Sequence, residues 1–175
     1  EVVLERLHPF AQGIQAHLAE KLVAPRNAYS ALAFSALYAG GGGSSVEDKR
    51  LSTSLALLRA EQLAVGGTVL RRIEQILNNQ DRVSRLASVG TPLSNRAIYR
   101  FFQASGAAGV EICLLTLARR LALLEEQGGE EQLHVELEVC SELLEAYWEP
   151  GSPRVNPPAL VSGEKIMAAL GIKPG

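Results

Sequence analysis

Arg96 and Arg100 stand four residues apart in "LSNRAIYRFFQAS", residues 93–105. On a helix that spacing puts both guanidinium groups on one face. Two such forks can grip phosphate oxygens without reading bases, and the same pattern also suits a solvated arginine pair. A second stretch, "LYAGGGGSS" at 37–45, invites a test as a phosphate loop. Such a loop needs a strand before it, a helix after it and Gly-Lys-Ser/Thr at its end. Here a helix-like apolar run precedes the glycines and no lysine falls in register, so a mobile surface loop is expected.

Metal chemistry has little to draw on. Asp48 and Asp81 are the only aspartates and form no Asp-x-Asp pair, so this chain alone does not assemble a two-metal centre of that type. His8, His17 and His134 are scattered, and no Cys or His lies at zinc-ligand spacing. Cys113 and Cys140 lie in apolar surroundings ("EICLLTLA", "LEVCSELL") and are expected to be buried structural thiols, as suits a reducing, cytoplasmic compartment.

The elements that must position these residues are helical. Apolar residues make up 47% of the 175 but aromatics only 5%, so the core is predicted to be Leu, Ala, Val and Ile packed helix on helix. Apolar positions recur every three to four residues with no sustained alternation, which predicts an all-α multi-helix bundle. Helices are predicted over 9–23, 28–39, 46–64, 67–79, 94–104, 107–125, 130–148 and 163–170. Asn27 and Ser94 are the expected N-caps, Gly106 a left-handed stop, and Gly128-Gly129 the break between two long helices. "EPGSPRVNPP", 149–158, is predicted to be an extended or turn-rich connector. Small residues at 106–109 suggest close helix approach. No apolar stretch is long enough to span a bilayer.

The net charge of −2 hides an uneven distribution. Residues 71–100 carry six arginines against Glu74 and Asp81, a balance of +4. Residues 121–149 carry nine glutamates and no Lys or Arg. These glutamates are expected on a solvated helix face that repels nucleic acid, so the molecule should be electrostatically two-faced.

"LSNRAIYRFFQASGAAGVEICLLTLA" at 93–118, "LLEAYWE" at 143–149 and "NPPALVSGEKIMAALGIKPG" at 156–175 resemble the carboxy-terminal helical portion of the bacterial tRNA nucleotidyltransferase and poly(A) polymerase family, in the group with an internal HD domain. The resemblance implies a degenerate HD-like helical region over 1–92 and a helical RNA-binding body over 93–175, packed as one unit. By motif, the implied RNA contacts are Arg96 and Arg100, with Lys173 between Gly171 and Gly175 at a helix N-terminus. Where HD proteins end a helix with His-Asp, this chain has Tyr38 and Ala39, and Asn78-Asn79-Gln80 stands at the Arg-His-His run. Phenol and amides are poor substitutes for those metal ligands, so a metal site is expected to be lost. The nucleotidyltransferase head that family members carry upstream, with its Mg and nucleoside triphosphate, has no counterpart here.

The chain is therefore expected to be a piece of a longer protein, its ending "GIKPG" reading as a loop that leads into a further helix. By itself it should carry no catalytic residue, metal or cofactor, and should help position RNA, of the tRNA type, for 3′-end nucleotide addition. The alternative is an HD-like scaffold for protein contacts or dimerisation, with the arginines merely solvated.

Overall fold

A computed structural model describes residues 2–39, 45–127 and 129–155. The glycine run at 40–43, the helix expected over 163–170, and Gly171, Lys173 and Gly175 lie outside the described residues. Among the described residues the architecture is an all-α bundle: α1 (Val2–Leu7), α2 (Ala11–Ala19), α3 (Ala28–Tyr38), α4 (Val46–Gln62), α5 (Gly67–Asn79), α6 (Arg82–Ala87), α7 (Asn95–Ser105), α8 (Gly109–Gln127) and α9 (Glu130–Trp148). One small antiparallel hairpin, β1 (Lys21–Val23) and β2 (Arg26–Asn27), interrupts the series.

Local chemistry explains the boundaries. The Asn27 side chain accepts the Ser30 N–H at 3.0 Å while the Ser30 hydroxyl accepts the Asn27 N–H at 3.4 Å, a reciprocal cap that starts α3. Ser45 and Asp48 cap α4 in the same way, and Ser94 Oγ accepts the Ala97 N–H to start α7. Gly106 ends α7 at φ +54° and Gly129 precedes α9 at φ +102°, conformations that an L side chain resists. The connector after α9 is turn-rich through Val155, with Gly151 at φ +65°.

Three elements differ from the sequence expectation. The helix predicted over 9–23 stops at Ala19, where Glu20 turns out of the helix (φ −55°, ψ 122°) and Lys21–Val23 pairs with Arg26–Asn27 instead. The chain turns there through a cis Ala24–Pro25 bond, and the Glu20 carbonyl accepts the Ala28 N–H. Two further helices, α1 and α6, have six residues each and were not predicted.

A single apolar cluster runs from Val3 to Ala146. Ile73 and Ile76 of α5, Ile98 and Phe101 of α7, Ile112 and Leu117 of α8, and Leu143 and Leu144 of α9 are its largest fully buried apolar side chains. Each such burial contributes about 1.5–3 kcal/mol. Gly109 allows the tightest approach: a Cβ there would lie 2.7 Å from Phe102 Cε1.

Charges are also buried in this core. Glu111 of α8 is fully buried, accepting from Arg72 of α5 at 2.7 Å and meeting His17 Nε2 of α2 at 2.8 Å. The triad joins three helices far apart in sequence. Glu136 of α9, also fully buried, takes both a bidentate Arg120 fork at 2.9 and 3.1 Å and the Ser84 hydroxyl of α6 at 2.7 Å. That hydrogen bond raises the Arg120 pKa above its ordinary value.

The glutamates of α9 are thus not a simple solvated face. Glu138 accepts from the Thr91 hydroxyl at 3.2 Å and Glu142 from the Leu93 N–H at 2.7 Å. Together with Glu136 they bind α6 and the 88–94 segment to α9. The apolar side of α9 is as expected, with Leu133, Leu137, Val139, Cys140, Leu143 and Leu144 buried. Cys113 and Cys140 are free and buried, the Cys140 thiol donating towards the Cys113 carbonyl at 3.7 Å. No helix among the described residues is long and apolar enough to cross a membrane.

Candidate nucleic-acid interface

The basic segment at 71–100 folds into α5, α6 and α7, and its arginines divide. Arg72 turns inward to Glu111. Arg82 and Arg85, one turn apart on α6, meet Arg100 of α7 on the walls of one groove of about 340 Å³. Its remaining lining is apolar, from Leu86, Val89, Ala97 and Phe101. No carboxylate lines this groove, and among the described residues none lies within 4.0 Å of the Arg82, Arg85 or Arg100 guanidinium nitrogens.

The electrostatics follow from that arrangement. Arg82 is half-buried, with its Nε donating to Asn79 Oδ1 at 2.6 Å. Burial lowers its pKa from the ordinary value and the neighbouring Arg85 charge lowers it further, though a guanidinium stays charged throughout. Positive charge is crowded here without an internal counter-ion, so an external anion would relieve it.

Of the residues singled out from sequence, Arg100 lines the groove, and Arg96, one turn earlier on α7, is exposed outside its lining. Arg82 and Arg85 counted in the charge balance but were assigned no face, since α6 was not predicted. The signal was a short apolar spacing, Val83 then Leu86 and Ala87, interleaved with the two arginines.

Arg85 also borders a second, more polar cavity of about 440 Å³ between α4 and the end of α5. There Lys49 donates to Asp81 Oδ2 at 2.6 Å, with Arg50, Thr53 and Asn78 nearby in the lining. This is the region that the HD comparison marked, and its side chains serve the fold. The Tyr38 carbonyl accepts from Ser52 Oγ at 2.8 Å, and the Tyr38 ring packs on Phe34. Asn79 Nδ2 donates to the Gln75 carbonyl at 2.8 Å and Gln80 Nε2 to the Leu77 carbonyl at 3.1 Å, closing the last turn of α5. Arg119 donates to Gln80 Oε1 at 3.1 Å. Among the described residues no three His, Cys, Asp or Glu side chains gather closely enough to hold a metal ion.

Comparisons with protein-family models, curated proteins and solved structures return no match to this chain.

Proposed function

We propose that this chain is a helical module that grips the phosphate backbone of RNA through Arg82, Arg85 and Arg100. The observation that carries the reading is the convergence of these three guanidinium groups on one groove that has no lining carboxylate. Its resemblance to tRNA nucleotidyltransferases and poly(A) polymerases supplies the context, RNA held for 3′-end nucleotide addition by a head domain that uses Mg and a nucleoside triphosphate.

Arginine–phosphate contacts release counter-ions, so affinity should fall steeply with salt. Three phosphates neutralised on a single strand give a slope of log K against log salt of about −2, or roughly a 20-fold loss between 50 and 200 mM. Fluorescence anisotropy of labelled RNA against the full chain reads this directly. Replacing Arg82, Arg85 and Arg100 together by alanine should remove most of the binding, with the circular dichroism spectrum unchanged. RNA binding that is insensitive to salt, or equal in the triple variant, overturns the reading.

A second reading, protein contact, is favoured by one observation. The solvent side of α3 and α4 exposes Tyr29, Leu37, Leu51, Leu55 and Leu58, with Leu37 and Leu51 77% and 71% exposed. An apolar surface of this kind suits a partner protein. On this reading alone the arginine replacements change no binding.

A further inference from the structure

We propose that the α6–α7 groove seats one unpaired nucleobase between its arginines, so that the module takes single-stranded RNA in preference to duplex. The inference rests on the phosphate-gripping reading and names which form of RNA the same groove accepts. Two features of the groove carry it: its size and the division of its lining.

At about 340 Å³ the groove is near the lower end of ligand clefts, which begin at about 300 Å³. That is room for a single nucleotide. Its three cations come with an apolar wall, Leu86 and Val89 from one side and Ala97 from the other, above the buried Phe101. Val89 is 86% exposed, and the residues just after it are tied to α9, Thr91 by Glu138 and the Leu93 N–H by Glu142. A site for phosphate alone has no use for such a wall. The neighbouring cavity, which shares Arg85, differs in having a carboxylate, an amide and a hydroxyl from Asp81, Asn78 and Thr53 beside its cations and its apolar Val46 and Leu77.

A nucleotide presents both chemistries together. Its phosphate supplies the counter-charge that Arg82, Arg85 and Arg100 lack, while its base has an apolar face that packs on aliphatic side chains and on guanidinium planes. In a duplex the bases are stacked on each other, so phosphate, sugar and base edges reach the protein but no base face does. The apolar wall would then be covered without gaining a partner. An unpaired base fills it, whatever its identity, because every base has a π-face.

Anisotropy titrations of the full chain at one salt concentration test this with three RNAs of equal phosphate count: a single strand, the same strand with base-free nucleotides, and a duplex. The single strand should bind about fivefold or more tightly than either of the others, the effect of one stacked base. Val89→Ala, at an exposed position that leaves the fold intact, should narrow that gap without changing the salt slope. Arg100→Ala should weaken all three RNAs through the lost phosphate contact, and the single strand at least as much as the other two. Equal affinity for the three RNAs, with the salt slope retained, overturns the base seat and leaves the phosphate grip standing. Absence of binding to every RNA overturns the grip and the seat with it.

Discussion

Replacing Arg72 by methionine should unfold this protein far more readily than any surface arginine change. Arg72 and His17 are the two side chains that meet the fully buried Glu111 carboxylate, at 2.7 and 2.8 Å on its separate oxygens. Without the guanidinium, a carboxylate with no water contact keeps only the imidazole. Breaking a buried pair from one side costs about 3–5 kcal/mol, which is about a fifth or more of a stability of about 5–15 kcal/mol. At about 2–4 °C per kcal/mol for a chain of this size, the melting midpoint should fall by roughly 10 °C. Removing both partners, Arg72→Met with Glu111→Leu, takes away the unpaired charge and should recover most of the loss. Urea and thermal denaturation followed at 222 nm, arranged as a double-mutant cycle, measures the coupling. An Arg72→Met variant within about 1 kcal/mol of the parent, or a double variant no more stable than the single, would refute the reasoning.

Gly109→Ala should destabilise by about 1–3 kcal/mol despite the better helix propensity of alanine, because its Cβ would lie 2.7 Å from Phe102 Cε1 and 3.1 Å from Phe101 Cε1. A lowered urea midpoint at unchanged slope is the expected result. Burial, then the contact with Cys113, raises the Cys140 pKa well above its ordinary value, so the native thiol should resist alkylation that the unfolded chain undergoes. A thiol that ionises later in the folded state stabilises it fully below the unfolded thiol's pKa. That contribution should decline as pH rises above the ordinary thiol value towards the raised one, visible as a falling melting midpoint.

The longer helices were legible because their period repeats over several turns and their caps are chemically explicit, as at Asn27 and Ser94. Six-residue helices span less than two turns, so Val83, Leu86 and Ala87 alone could not establish a face for Arg82 and Arg85. Arg100 could be picked out because α7 was visible, and its partners could not because α6 was not. The buried charges were hidden for another reason. His17 and Glu111 are 94 residues apart and Arg72 and Glu111 are 39 apart, so only tertiary packing brings them together. Glu136 and Glu142 read as members of a solvated acidic run, since nothing local distinguishes a glutamate that hangs in water from one that ties down a neighbouring segment.

Ser84 lies between Arg82 and Arg85 on a helix too short to hold its own shape in water, and its hydroxyl is fastened to a buried carboxylate on α9. The groove's arginines therefore inherit their placement from residues that never face it. Over generations, drift at the arginines themselves would alter affinity in single steps, each open to reversal. Drift at Ser84 or Glu136 would remove the polar tie of α6 to α9 and leave its placement to Val83 and Ala87. Part of what places a cluster of arginines is thus a buried carboxylate on the glutamate-rich α9.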